Sequence, residues 1–239
     1  MLSLRATLFY AGMAAVTPVF MVLGMVLLIA PFRLRFAAVS RWAAFNLWWL
    51  RVTCNLDFEI TGRENIPNQA AIILCKHQSA WETLALQVVF PAQAWVLKRE
   101  LLWIPIYGWG LATMNPIAID RGAGVRALRQ LVRQGRKRLQ DNVWVVIFPE
   151  GTRMAPGQRG IYQPGGGMLA AETERPIIPV AHNAGWFWPR NSFRKQPGQI
   201  RMVIGPPIPS TGRSAKELTA LAEDWIESTV AGLPAPVNS

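Results

Sequence analysis

The N-terminal segment limits the possible structures of this chain more than any other feature. Between residues 6 and 32 there is no charged residue, and most side chains are Leu, Val, Met, Ala or Phe. About 20 apolar residues suffice for a helix to cross a membrane. The following Arg33, directly after Pro31 and Phe32, does not fit the small-residue cleavage site of a signal peptide. We therefore predict a retained membrane anchor. Pro18 would kink it, which leaves open a helix that enters the membrane and returns.

Basic residues near the anchor predict its orientation. Arg5 is the only basic residue before the apolar segment. The arginines that follow it closely are Arg33, Arg35, Arg41 and Arg51. Because Lys and Arg accumulate on the cytoplasmic side of membrane segments, we expect the protein at the cytoplasmic (inner) membrane, with its main body facing the cytoplasm.

Residues 36–53 form a second N-terminal pattern. Its aromatic residues recur at about helical spacing and are Trp42, Phe45, Trp48 and Trp49. Aromatic rings beside arginines are typical of a helix lying at a membrane surface, but the same periodicity fits a tryptophan-rich core helix. Residues 1–55 are assigned to membrane-associated helices and residues 56–239 to a separate α/β domain.

Beyond Leu56 the chain alternates short apolar runs with longer helical patterns. The runs typical of strands are 71–75, 94–97, 117–119, 143–148, 177–180 and 201–204. The helical patterns are 82–90, 124–140 and 215–230. This alternation predicts an α/β fold, with a mixed, mostly parallel sheet covered by helices and preceded by the membrane-anchoring segment. Clusters of Pro and Gly predict loops at 155–167 and 205–212.

The net charge of +11 narrows the expected partners. A basic chain attracts nucleic acid, an anionic membrane surface or a phosphate-bearing substrate. Nucleic acid is not expected, because the sequence shows no zinc-finger, helix-turn-helix or RNA-stacking pattern and carries a long apolar segment. The two cysteines, Cys54 and Cys75, do not form a metal-binding spacing with the two histidines, so no metal site is predicted.

A histidine and a carboxylate follow a predicted buried strand. His77 comes just after the run at 71–75, and Glu82 begins the next helical pattern. Sheets of this class place their sites at such strand ends. The carboxylate can hold the imidazole in one tautomer and stabilise its protonated form, which suits general-base activation of an alcohol. The same spacing also arises by chance.

A second candidate loop follows another predicted strand. It reads Phe148-Pro149-Glu150-Gly151-Thr152-Arg153. Pro and Gly bracket a tight turn, Gly151 lets backbone N–H groups approach a ligand, and Arg153 can bind phosphate in a fork. An ordinary β-turn with a surface arginine is the alternative. Two such loops, one with a base and one with an anion-binding residue, favour a shared site.

These blocks, in this order, resemble the glycerolipid acyltransferase family, in particular its bacterial members that acylate 1-acylglycerol-3-phosphate. His77 with Glu82 is similar to the family's HX4D block, and residues 98–121 contain a stretch similar to the second block. Residues 148–153 are the FPEGTR block, and residues 177–180 resemble the fourth. The resemblance implies a glycerol-3-phosphate acyltransferase-like fold.

The resemblance also implies a single-displacement reaction. His77, supported by Glu82, would deprotonate an acceptor hydroxyl that attacks the thioester of acyl-CoA or acyl-carrier protein. No covalent acyl-enzyme and no cofactor would be needed. Lys98, Arg121 and Arg153 would hold the acceptor phosphate. The residues that would shape the phosphate pocket are Glu150, Gly151 and Thr152.

Two positions depart from the family pattern. Glu82 stands where the family has an aspartate and is one methylene longer, so the turn around His77 must adjust. Before the glycines at 165–167 the family often has a basic residue, whereas this chain has Gln163 and Pro164. No phosphate contact is therefore assigned to that loop.

The expected reaction converts 1-acylglycerol-3-phosphate into phosphatidic acid, in phospholipid biosynthesis. Acylation of another lysolipid, such as lyso-ornithine lipid or another lysophospholipid, stays open, as does a non-catalytic protein that binds anionic lipid.

The helical pattern at 124–140 is apolar on one side and basic on the other. Its basic residues are Arg126, Arg129, Arg133, Arg136, Lys137 and Arg138. They form either a solvated face or a docking surface for anionic lipid, CoA phosphates or an acidic carrier protein.

Overall fold

A computed structural model describes residues 1–105 and 107–236, apart from the side chains of Tyr107 and Arg121. The helices are α1 (Leu2–Val26), α2 (Phe32–Cys54), α3 (Trp81–Val89), α4 (Tyr107–Thr113), α5 (Val125–Gln140), α6 (Gly165–Thr173), α7 (Ala184–Phe187) and α8 (Ala215–Gly232). The strands are β1 (Leu56–Thr61), β2 (Ile72–Cys75), β3 (Gln93–Lys98), β4 (Ile117–Ile119), β5 (Trp144–Ile147), β6 (Ile177–His182) and β7 (Gly198–Ile204).

Within those described ranges the strands form one seven-stranded sheet in the order β1-β7-β6-β2-β5-β3-β4. All neighbouring pairs are parallel except β6 and β7, which are antiparallel. Every residue of the central strands β2, β5 and β6 is buried, because both faces of the sheet are covered. The predicted mixed, mostly parallel α/β sheet is confirmed.

The parallel strands bring the sequence blocks together. β2, β3, β4 and β5 run in the same direction, so their carboxyl ends lie at one edge of the sheet. His77 follows β2, Lys98 ends β3, and Phe148 follows β5. The edge therefore collects residues that lie far apart in sequence.

Three helices match the predicted patterns to within two residues: α3, α5 and α8. Strand β1 and helix α4 were not predicted. The loop prediction at 155–167 was wrong at its end, since α6 begins at Gly165. Glycine is needed there for close packing: a Cβ on Gly166 would lie 2.6 Å from Leu74 Cδ2 on the sheet.

The two N-terminal helices form an antiparallel hairpin. Arg35, near the start of α2, is buried and donates to carbonyl oxygens of the connecting turn, including Ala30, and to that of Thr113 at the end of α4. Trp42 and Trp49 of α2 donate their ring N–H groups to α1, to Thr17 Oγ1 and the Leu8 carbonyl respectively. The alternative of a tryptophan-rich packing helix therefore holds for these two rings.

Other side chains of the hairpin face outward. Trp48 is 55% exposed, as expected for a ring at a membrane surface. By length and composition, Leu2–Ile29 could cross a membrane. Only 6% of its most apolar stretch of 18 residues is buried inside the protein. α1 continues through Pro18 without ending. The large apolar residues exposed along it include Leu4, Leu8, Val19, Val22, Met25 and Val26.

A buried lysine joins α1 to the segment before β7. Lys195 is 1% exposed, and its ammonium lies over aromatic rings of both parts of the chain. The distances to the ring centroids are 3.5 Å for Tyr10, 4.5 Å for Trp188 and 5.1 Å for Phe9. Such cation–π contacts hold the amino-terminal half of α1 against the sheet domain.

Candidate active site

His77 and Glu82 lie in direct contact. Nδ1 of His77 donates to Oε1 of Glu82 at 2.8 Å. The same oxygen accepts the backbone N–H groups of Gln78 and Ser79, at 3.0 and 2.9 Å. The loop between β2 and α3 therefore folds around the carboxylate, and the longer Glu82 side chain is accommodated by this turn. The side chains meet because Glu82 lies in the first turn of α3, where the helix dipole also favours an anion.

The surroundings of Glu82 determine its charge. Its side chain is fully buried, and burial alone would raise the pKa of the carboxyl. His182 and the hydrogen bonds from His77 and Ser79 outweigh burial and leave the pKa of Glu82 below its ordinary value. The group is therefore an anion that can stabilise an imidazolium beside it.

The His77 ring is held on two sides. It stacks on Phe148 with the ring centroids 4.0 Å apart and the planes 14° from parallel. Its side chain is 15% exposed. Since Nδ1 carries the proton that bonds Glu82, Nε2 has the lone pair and can take up a proton. The arrangement is that of an oriented general base.

Glu150 is bonded within the protein, directly behind His77. Its Oε1 accepts from Lys76 Nζ at 2.7 Å and from the Gly160 N–H at 3.0 Å, and its Oε2 accepts the His77 backbone N–H at 3.2 Å. Both oxygens are thus engaged inside the protein, and the residue is 7% exposed. Glu150 thus supports the His77 loop from behind, and its part in shaping the phosphate pocket stays a prediction.

Lys76 was not singled out from the sequence. It is fully buried, and its ammonium bridges Glu150 and Glu227 of α8, 2.8 Å from the latter. The Tyr162 hydroxyl donates to the same Glu227 oxygen. This network connects the residue before His77 to the last helix. The only signal in the sequence is that a lysine directly follows the apolar residues of a predicted strand.

A cavity of about 270 Å³ opens beside the histidine. His77, Lys98 and Arg153 all line it. Much of its wall is apolar and comes from α1, α2, α4 and the residue after α4, including Phe20, Met21, Val39, Trp42, Leu111 and Met114. A cavity that combines a base, two cationic groups and apolar walls fits an amphiphilic ligand with an anionic headgroup.

The remaining predicted residues follow β4 and β5 at the same sheet edge. Nε of Arg153 is buried and lacks a hydrogen-bond partner within the described ranges. Thr152 is exposed, and its hydroxyl accepts from Arg190, which also donates to the Arg153 carbonyl. Gly151 has φ of +67°, a conformation that favours glycine. The Arg121 side chain lies outside the described part, although its backbone follows β4 at the same sheet edge.

Comparison with known proteins identifies the class. The acyltransferase family model matches residues 57–183, more than half of the chain. The protein belongs to the acyltransferase family, as the sequence blocks predicted, and the prediction of an acyltransferase is confirmed.

Individual relatives narrow the similarity further. Over 234 residues the chain is 44% identical to a 1-acyl-sn-glycerol-3-phosphate acyltransferase of Pseudomonas aeruginosa, which covers 96% of this chain and 91% of that protein. Human 1-acyl-sn-glycerol-3-phosphate acyltransferase alpha is 29% identical over 168 residues, 69% of this chain and 59% of the human protein. The crystal structure of a 1-acyl-sn-glycerophosphate (LPA) acyltransferase from Thermotoga maritima shares the fold, with a TM-score of 0.80 at 23% identity over 100% of both chains.

Proposed function

We propose that the protein transfers a fatty acyl group from a thioester donor to the free hydroxyl of 1-acylglycerol-3-phosphate, which gives phosphatidic acid for phospholipid biosynthesis. The observation that carries the proposal is the cavity in which His77, Lys98 and Arg153 meet apolar walls. The acceptor has the matching parts: a hydroxyl, a phosphate and an acyl chain. The names of the relatives support the same acceptor.

His77 acts as the general base in the proposed reaction. Its Nε2 takes the proton of the acceptor hydroxyl while the hydroxyl oxygen bonds to the thioester carbonyl carbon. The tetrahedral intermediate then collapses with cleavage of the carbon–sulfur bond, and the imidazolium returns its proton to the leaving thiolate. Glu82 stabilises the imidazolium between these steps, at 2.8 Å from Nδ1. The sequence of steps needs neither a covalent acyl-enzyme nor a cofactor.

Lys98 and Arg153 bind the acceptor phosphate, with Arg121 as a third cation from the same sheet edge. Arg153 suits the role because its Nε, buried and unpaired among described residues, is a donor that an anion can satisfy. The apolar walls accommodate an acyl chain. Acyl-CoA and acyl-carrier protein both present the thioester that this chemistry requires.

The N-terminal hairpin places the reaction at the membrane. The outward apolar side chains of α1 insert into lipid of the cytoplasmic membrane, and the basic residues after α1 keep the sheet domain on the cytoplasmic side. Because the acceptor is itself a membrane lipid, anchoring raises its local concentration at the site.

The basic face of α5 contributes to this proposal in part. Arg136 pairs with Glu172, and Arg138 donates to the Asn115 carbonyl, so these two have partners in the protein. Other basic side chains on α5 are exposed: Arg126, Arg129, Arg133 and Lys137. They suit an anionic donor or the lipid surface. Replacing Arg126, Arg129 and Arg133 by Gln should raise KM for the donor or weaken vesicle binding. If neither changes, the face is merely solvated.

The decisive experiment measures thiol release by the purified protein in detergent. 1-Acylglycerol-3-phosphate, lyso-ornithine lipid and other lysophospholipids are offered with acyl-CoA or acyl-carrier protein. We expect preference for 1-acylglycerol-3-phosphate, and a loss of about 10²–10⁴-fold in kcat for His77→Ala with unchanged thermal stability. Glu82→Gln keeps the size of the side chain but loses its charge, so its kcat should lie between those of the wild type and His77→Ala. Retained activity in His77→Ala, or a better acceptor, would overturn the corresponding part of the proposal.

A further inference from the structure

A second histidine lies behind the proposed catalytic pair. His182 ends β6 and is fully buried. Its Nε2 lies 2.8 Å from the carbonyl oxygen of Lys76, and its Nδ1 accepts the Ala184 N–H at 3.2 Å. These contacts fix the neutral tautomer that carries its proton on Nε2. The ring N–H therefore holds the backbone of the residue that precedes His77.

The Nε2 edge of the same ring also lies near the carboxylate of Glu82. His182 Nε2 is 3.8 Å from Oε2 of Glu82, the oxygen that does not contact His77. In the described residues Oε2 is buried without a hydrogen-bond partner, whereas Oε1 accepts several N–H groups. A buried carboxylate oxygen without a donor is costly unless a positive dipole faces it. The electropositive Nε2 edge of His182, 3.8 Å away, supplies that dipole.

We propose that His182 is a positioning residue for acyl transfer: it holds the Lys76 carbonyl and keeps the Glu82 carboxylate ionised and directed at His77. Oε2 of Glu82 lies 3.8 Å from His182 at the end of β6. The kinetic part of this inference rests on the proposed function, but the geometric part does not.

The charged groups around His182 decide in which direction the pH dependence of activity changes when His182 is replaced. Those facing it are Glu82 from α3, and His77 and Lys76 from the end of β2, while the Trp81 ring packs on the imidazole at 5.9 Å. Burial lowers the pKa of His182, so its ring is neutral. Removing a positive dipole end from beside the His77–Glu82 pair raises the pair's affinity for a proton. The acid limb of the activity profile should therefore move to higher pH.

The test uses NMR of the full-length protein in detergent with ¹⁵N-labelled histidine. The chain has two histidines, so both signals can be assigned with His77→Ala. We expect wild-type His182 to be a neutral Nε2–H imidazole at neutral pH. His182→Phe should raise the apparent pKa of the His77–Glu82 pair by about 0.5–1 unit. It should lower kcat about tenfold with an unchanged KM for the acceptor.

Two further variants separate positioning from stability. His182→Gln retains an N–H donor near the Nε2 position and should return the apparent pKa of the His77–Glu82 pair and kcat most of the way to their wild-type values. This variant also tests the proposal if His182→Phe does not fold. Asn183 is the matched control, since it is buried next along the chain but bonds the Pro234 carbonyl and the Arg201 N–H. Asn183→Ala should lower thermal stability without moving the pKa.

Three results would overturn the inference: titration of His182 together with His77, the Nδ1–H tautomer in the wild type, or an unmoved pKa in a folded His182→Phe protein. A wild type that transfers no acyl group would refute the proposed function instead, and the NMR titration would still decide the role of His182.

Discussion

Glu150 offers a strong test of the site, because sequence and structure assign it different roles. The sequence blocks suggest a substrate contact, whereas its carboxylate bonds Lys76 Nζ at 2.7 Å and the His77 N–H at 3.2 Å. Glu227 bonds the same ammonium at 2.8 Å but does not accept the His77 N–H. Glu150→Gln and Glu227→Gln therefore remove the same kind of charge, and only Glu150→Gln disturbs the bond to the His77 backbone.

The expected cost follows from the burial of the network. Breaking a buried ion pair costs about 3–5 kcal/mol when one charge is left alone. Lys76 keeps one carboxylate in either variant, so about 2–3 kcal/mol is expected, close to the value of a hydrogen bond to a charged group. For a chain of this size 1 kcal/mol shifts Tm by about 2–4 °C, which predicts a fall of about 4–12 °C.

Kinetics then separate the two variants. In Glu150→Gln the new amide cannot accept from both Lys76 and the His77 N–H, so the histidine is misplaced and kcat should fall by about 10–100-fold, with KM for the acceptor unchanged. Glu227→Gln should lose stability but keep kcat within about threefold. Thermal unfolding in detergent and a thiol-release assay measure both quantities. A Glu150→Gln protein with normal Tm and a raised KM for the acceptor would show that the carboxylate contacts substrate, and would refute this reasoning.

Other perturbations give equally direct outcomes. Arg153→Lys loses the forked guanidinium and should raise KM for the acceptor about tenfold with kcat little changed; an unchanged KM would remove Arg153 from the phosphate site. Gly12→Ala places a Cβ far inside the van der Waals contact distance of Trp49 Nε1, so it should force α1 from α2 and cost about 1–3 kcal/mol in chemical denaturation; a neutral effect would contradict the packing. Burial lowers the pKa of Lys195 to about 8 from 10.5, so the unfolded chain binds more protons between these values. Wild-type stability should therefore rise relative to Lys195→Met between about pH 8 and about pH 10.5, and a constant or falling difference in denaturation midpoint would count against it.

The sequence predicted those parts of the site that depend on local order. Parallel strands end at one edge, so blocks that follow strands had to meet there, and His77 indeed stacks on Phe148. Contacts across long separations could not be inferred in the same way. Lys76 and Glu227 are 151 residues apart, and nothing in either segment marks the other as its partner. The same holds for Arg190, which supports the backbone of Arg153 from a loop outside every block.

Local composition was misleading where packing decides the structure. Three consecutive glycines suggested a loop, but they begin α6, where a Cβ on Gly166 would lie 2.6 Å from Leu74 Cδ2 of the sheet. The aromatic spacing of α2 suggested one membrane-facing side, yet Trp42 and Trp49 bond α1 and Trp48 points away. Periodicity gives the helix, whereas the neighbour of each face is known only from the tertiary structure.

The shared walls of the cavity have a practical consequence. Phe20, Met21 and Trp42 belong to the N-terminal hairpin and line the same space as His77. Deleting the hairpin to obtain a water-soluble fragment would open one side of the cavity to solvent and remove part of its apolar wall. A soluble variant should instead keep the hairpin and exchange outward-facing side chains such as Val19 for polar ones.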